Sequence, residues 1–204
     1  MDRVRNLLDY GSIRACRITN LVVYRWEGAS MVFESENVYI EPIQMVDVEN
    51  VVEIYNSNTQ FLRHHIRDNQ VTFQWVVEEL ESMKSLGFSS CKVLRKDVQK
   101  IVGIIDFKID EESYLSLLMI HKDYANRGFG KQIYKAFEEY AISRHSKRIR
   151  LDVVTGYNDK VFHFWLENGF DKVENITLNW MGISLPAITM EKNLYLDKSL
   201  VIVS

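Results

Sequence analysis

The stretch Asn126-Arg127-Gly128-Phe129-Gly130-Lys131 constrains this chain more than any other. It joins an apolar, strand-like run ending at Ile120 to a pattern in which Ile133, Phe137, Tyr140 and Ala141 share one helical face. Glycine adopts positive φ without strain and lets backbone approach a ligand, so two glycines here make a tight strand-to-helix turn. The first amides of a helix lack intrahelical partners, and the helix dipole adds positive potential around them. Arg127 and Lys131 add formal charge. Such a turn suits an anion, a phosphate or pyrophosphate above all. Taken alone, it is also consistent with a plain turn carrying a solvated basic rim. Two phosphate motifs fail. A P-loop needs G-x-x-x-x-G-K-[ST], and Ala125 and Gln132 stand where its first glycine and its Ser/Thr belong. A dinucleotide fingerprint needs a third glycine where Ile133 stands.

The rest of the chain bounds the ligand class. It has 204 residues, 47% of them apolar and only two of them proline, which fits a folded domain rather than a disordered chain. A net charge of −3 argues against nucleic acid, and the short cluster Arg144, Lys147, Arg148, Arg150 reads as a solvated helix end. Cys16 and Cys91 fit no metal spacing and read as free thiols in a reducing compartment. The N-terminus lacks a signal-peptide pattern, and no apolar run approaches the roughly 18 residues of a membrane span. The expectation is a cytoplasmic protein with no metal, no nucleic-acid partner and no membrane contact.

Residues 1–36 read as an extension of unknown role. Val4, Leu7 and Leu8 suit a short helix; 21–24 and 31–33 suit strands. From residue 37 the pattern is clearer. A strand at 38–40 closes at Pro42, Asp47 offers an N-cap, and Val48, Val51, Val52 and Tyr55 follow at helical spacing. A second helix runs from about Thr72 to Gly87, and Phe61-Leu62-Arg63-His64-His65 between the two reads as loop. Strands at 91–95, 101–108 and 114–120 follow with short polar turns, which favours antiparallel neighbours. After the glycine turn and its helix come a strand at 149–154, a short helix at 159–168 and a hairpin around Gly182. This order predicts a single α/β (α+β) domain at 37–194, one mixed, mainly antiparallel sheet flanked by helices, with 195–204 as a tail.

A third pattern fits the turn. Leu118-Met119-Ile120-His121-Lys122-Asp123-Tyr124-Ala125-Asn126-Arg127-Gly128-Phe129-Gly130 resembles the signature of the GNAT superfamily of acyl-CoA-dependent N-acyltransferases. That signature is an apolar strand, a short turn, then [QR]-x-x-G-x-[GA] opening a long helix. Ala125 departs from its first position. Further on, Asn158-Asp159-Lys160-Val161-Phe162-His163-Phe164-Trp165-Leu166-Glu167-Asn168-Gly169-Phe170 resembles the family's N-x-x-A-x-x-F-Y-x-x-x-G-F. Asn158, Phe164, Gly169 and Phe170 match, while Val161 and Trp165 depart. The resemblance covers residues 37–194. It implies a GNAT-like sheet splayed between its fourth and fifth strands, here 114–120 and 149–154, with acetyl-CoA in the cleft. It also implies a pyrophosphate site at Asn126, Arg127, Gly128, Phe129, Gly130 and Lys131, backbone contacts from Leu118 and Ile120 to the pantetheine, and a contact from Asn158. Trp165 is either a pantetheine contact or purely structural.

The implied activity is direct transfer of an acetyl group from acetyl-CoA to a primary amine of an unidentified acceptor, a small molecule or a peptide. A lysine-like amine is mostly protonated near neutral pH, so a base is useful. Asp106, an acid inside an apolar strand, and His121, at the end of the next strand, are the candidates. Asp106 either faces the cleft or lies on an exposed sheet face, and His121 is otherwise a surface turn residue. Ser116 and Tyr157 are weaker options. The resemblance implies that the tyrosine of the second motif often protonates the departing thiolate, and the indole N–H of Trp165 cannot. Trp165 and Ala125 therefore keep open a second reading, a catalytically silent acyl-CoA-binding or partner-binding module. The resemblance implies acceptor contacts around 56–69 and 180–188; Phe61, His64, His65, Trp75 and Trp180 either line that pocket or pack in the core or at the surface. A homodimer is one arrangement open to the chain.

Overall fold

The computed structural model describes residues 13–18, 21–26, 31–180 and 182–194. The expected helix at Val4–Leu8 and the tail at 195–204 lie outside them. The first two strands, β1 (Ile13–Ile18) and β2 (Leu21–Trp26), form an antiparallel hairpin.

The main body is an eight-stranded sheet. Its strands are β3 (Phe33–Glu34), β4 (Val38–Pro42), β5 (Ser89–Arg95), β6 (Ile101–Lys108), β7 (Glu112–Ile120), β8 (Arg148–Val154), β9 (Asp171–Trp180) and β10 (Ile183–Asn193). They lie in the order β3-β4-β5-β6-β7-β8-β10-β9. Every neighbouring pair is antiparallel except β7–β8, which is parallel. This is the mixed, mainly antiparallel sheet the sequence predicts. Phe33 and Glu34 extend it at the edge, ahead of residue 37, because Phe33 stacks into the core against Phe107, Phe137 and Tyr140.

Helices cover both faces. On one side α1 (Val48–Ser57), α2 (Thr59–His65) and α3 (Phe73–Ser85) bury Val51, Ile54, Leu62 and Val76 against Ile104 and Met119. On the other, α4 (Phe129–Ser143) and α5 (Asp159–Glu167) bury Ile133, Phe137 and Trp165 against Ile105, Phe107, Leu115, Leu151 and Val153. Strand alternation divides the sheet's apolar residues between these two cores.

Two local expectations need correction. Residues 59–65 are helical, not loop. Seven residues are too few for propensity to decide; burial of Leu62 and His65 under the neighbouring elements makes this helix. Asp47 precedes α1 but does not cap it with its side chain. Its carboxylate instead accepts from the Gln44 N–H at 2.8 Å and from Lys92 Nζ at 2.8 and 2.9 Å, which ties the start of the helix to β5.

Candidate functional site

The parallel pair β7–β8 holds together for only three residue pairs, Glu112↔Arg148, Ser113↔Ile149 and Tyr114↔Arg150. Beyond them β7 runs on to Ile120 beside β6, and β8 runs on to Val154 beside β10. The two strands therefore diverge into a wedge. A β-bulge sits where they part: Phe107 opposes Leu115 but Asp106 opposes Leu117, so Ser116 is an extra residue on β7. Bulges bend a strand and increase its twist, which turns β7 away from β8. The closed end is fastened by Asp152, whose buried carboxylate accepts from Tyr114 Oη at 2.8 Å and from Thr189 Oγ1 at 2.7 Å. Burial, and then the bond to Asp152, raise the Tyr114 phenol well above its ordinary range, so it stays a donor.

Backbone alternation sets what faces the wedge. The His121 N–H bonds Val102 O at 2.8 Å, and Ile104 opposes Met119 in the same register. In an antiparallel ladder alternate residues bond the same neighbour. The N–H and C=O of Leu118 and Ile120 therefore turn toward the β8 side, where no strand meets them. The Ile120 carbonyl accepts from Asn58 Nδ2 at 3.1 Å. Leu118 is half-buried with both backbone groups turned to the gap, and groups so placed call for a ligand or water.

The glycine turn lies at the wide end of the wedge. His121 opens a short 3-10 turn, Lys122–Tyr124, with its Nδ1 accepting from the Asp123 N–H at 3.2 Å. Asn126 and Gly128 are left-handed, at φ 59° and 82°. The first intrahelical bond of α4 runs from the Gln132 N–H to Gly128 O at 3.1 Å, which leaves the amides of Phe129, Gly130 and Lys131 without helical partners. A Cβ on Gly130 would come within 3.7 Å of the Phe164 ring, so α4 and α5 approach closely here. Arg127 lies over the Tyr124 ring at 5.7 Å, and Arg95 lies 5.6 Å from the ring centres of both Tyr124 and Phe129.

The remaining sequence candidates divide. Asn158 caps α5, its Oδ1 accepting from the Lys160 N–H at 3.2 Å. Trp165 is 7% exposed and packs edge-on against Tyr134, Phe164 and Phe170 in the core between α4 and α5. His121 is held by its cap, with Nε2 3.8 Å from Glu53 Oε1 on α1. Asp106 does not lie on an exposed face. It is 5% exposed, stands between Ser90 and Leu117 in register, and faces the α1/α3 side. Burial pushes its carboxyl up to about 7; the Ser90 hydroxyl opposes this and the charge of Glu79 adds to it. The fastening at Tyr114, Asp152 and Thr189 was missed in the sequence. An acid alternating with Ile149, Leu151 and Val153 was its only signal.

A strand wedge ending in a glycine turn with free amides is the geometry that the two sequence motifs imply. The acetyltransferase (GNAT) family model matches residues 49–170. The chain belongs to the GNAT acetyltransferase family. A comparison with curated proteins finds no match. Among solved structures, GNAT folds align over most of the chain. Spermidine N-acetyltransferase from Vibrio cholerae, in complex with CoA and spermine, is 14% identical with a TM-score of 0.62, covering 77% of this chain and 95% of that one. A GNAT family acetyltransferase from Bacillus anthracis is 13% identical with a TM-score of 0.65, covering 79% and 98%. Ribosomal-protein-alanine N-acetyltransferase from Brucella melitensis is 18% identical with a TM-score of 0.56, covering 76% and 98%. At these identities the likeness establishes the GNAT fold.

Proposed function

We propose that this GNAT protein transfers the acetyl group of acetyl-CoA to a primary amine by direct attack. The observation that carries the reading is the β7–β8 wedge, which runs from the exposed backbone of Leu118 to the free amides at Phe129–Lys131. Backbone groups along one side of a cleft and free amides at its end suit a ligand with amides in its arm and a pyrophosphate beyond them. Leu118 and Ile120 would line the pantetheine arm, Asn126–Lys131 would hold the pyrophosphate, and Asn158 would meet the arm from α5.

The chemistry assigned to the protein is then simple. The Leu118 N–H donates to the thioester oxygen as negative charge develops on it, a fixed donor that needs no reorganisation. The acceptor nitrogen forms the new C–N bond, the C–S bond breaks with its electron pair going to sulfur so that CoA leaves as the thiolate, and the amine's proton passes to Asp106. A carboxyl pushed up to about 7 is matched to that task near neutral pH. The Nδ1 of His121 is taken by the Asp123 N–H, which favours Asp106 over it. Trp165 supplies no proton to the thiolate.

The core position of Trp165 also favours one competing reading, a module that binds CoA without turnover. Titration of CoA by calorimetry, with thiol release followed over a panel of amines and peptides, separates the two. Binding with turnover is expected. Binding without turnover on any acceptor selects the silent module, and absence of binding overturns both.

A further inference from the structure

The wide end of the wedge is bridged by α2. Asn58, at the α1–α2 junction, donates to Ile120 O at the end of β7, and Gln60 Nε2 donates to Tyr157 O, just past β8, at 3.0 Å. The helix therefore crosses from one diverging strand to the other. Rings extend the bridge. His64 stacks on Tyr157 at 4.6 Å, and Phe61 stacks on His65 at 4.0 Å. His65 meets Tyr157 and Trp180 edge-on at 5.3 and 5.6 Å, and Phe61 meets Trp180 at 5.9 Å. Three separate segments, α2, the loop after β8 and the tip of the β9–β10 hairpin, thus build one aromatic wall at the mouth of the wedge. The mechanism above uses none of these residues.

The wall disfavours positive charge. His65 is 5% exposed, and its Nδ1 lies 3.1 Å from Phe61 O. A carbonyl only accepts, so Nδ1 carries the proton and Nε2 of the neutral ring is an acceptor. Burial holds the imidazole pKa down to about 4, against the Phe61 carbonyl, which favours the charged form, and with a small push from His64. An ammonium group entering the same surroundings meets the same desolvation. Aromatic boxes that bind cations offer open ring faces. Here Phe61 and His65 each cover one face of the other and His64 covers one face of Tyr157, which reduces the open ring area offered to a cation.

Resting on the acetyl-transfer reading, we propose that Phe61, His65, Tyr157 and Trp180 select a primary amine carried on an apolar, aromatic body, with His65 Nε2 accepting an N–H of the incoming neutral amine. A polyamine is disfavoured because it brings further ammonium groups to the same wall.

The test uses the full chain with acetyl-CoA and two acceptors, phenethylamine and spermidine, following thiol release, with CoA affinity measured separately by calorimetry. The expected kcat/KM for phenethylamine exceeds that for spermidine by about tenfold or more. Trp180→Ala, at a half-exposed hairpin tip, should raise the phenethylamine KM about tenfold, with kcat and the acetyl-CoA KM within about threefold, and Trp180→Phe should restore most of the loss. His65→Phe keeps the ring stack and removes Nε2; its KM should rise about fivefold. A preference for spermidine, no transfer to phenethylamine by a protein that binds CoA, or equal effects of Trp180→Ala on both acceptors overturns the inference and leaves the acetyl-transfer reading standing. Failure to bind CoA removes that reading, and the inference falls with it.

Discussion

Gly128 and Gly130 are separated by one residue yet face opposite demands, and alanine at each distinguishes them. Gly128 has φ 82° and ψ −6°, and a Cβ there would meet nothing within 4 Å. Its substitution is therefore opposed by backbone strain alone, about 1–2 kcal/mol for an L-residue in the left-handed region. Gly130 lies inside α4, with room for a Cβ at ordinary contact distance from Phe164. Alanine there gains up to about 1 kcal/mol of helix propensity. For a chain of this size each 1 kcal/mol shifts the melting temperature by roughly 2–4 °C. Gly128→Ala should thus melt about 2–8 °C below the parent protein, and Gly130→Ala level with it or up to about 4 °C above. Relief of strain at position 128 also rotates the amides of Phe129 and Gly130 away from a common centre. Calorimetric titration with CoA should then show Gly128→Ala weakened about tenfold or more, a loss of about 1.4 kcal/mol, and Gly130→Ala within about threefold. Equal destabilisation of the two variants, or unaltered CoA binding by Gly128→Ala, would refute the argument that a left-handed residue holds the amides in place.

Asp106→Asn removes a buried carboxyl whose pKa is raised from 3.8 to about 7, so the native state holds its proton more tightly than the unfolded chain does. The stability this group contributes is full below about pH 4 and is lost as pH rises toward 7. The variant should therefore be more stable than the parent at pH 8 by on the order of 1–4 kcal/mol in urea melts, and should converge with it near pH 4. The same variant should lose about 100-fold or more in kcat and the acid limb near pH 7, and an unchanged pH–rate profile would take Asp106 out of the mechanism. Tyr114→Phe leaves Asp152 Oδ2 without its phenol donor at the closed end of the wedge. Thermal melts should record a loss of about 1–3 kcal/mol, with a raised acetyl-CoA KM, and full stability would show that the wedge is fastened elsewhere.

Much of the site is legible before folding because it is local. The strand, the glycine turn and the helix that follows depend on residues within a few positions of one another. The seven-residue α2 was not legible, since the contacts that make it come from Tyr157 and Trp180, about a hundred residues away. The face taken by Asp106 was equally hidden. Strand alternation offers two sides, and only the positions of Tyr55, Glu79 and Ser90 around it make one of them buried.

The sequence alone thus determined an ordered pair of motifs, a glycine turn between strand and helix, and a mixed sheet with helices on its faces. Periodicity and glycine stereochemistry act over single turns and strands, and these features need nothing longer. The tertiary structure alone decided the wedge. Its opening requires β7 to stay with β6 and β8 to stay with β10 while a bulge at Ser116 turns them apart, and its closed end requires Tyr114, Asp152 and Thr189 to converge from three strands. Those are agreements between distant pairings, and no stretch of chain carries them by itself.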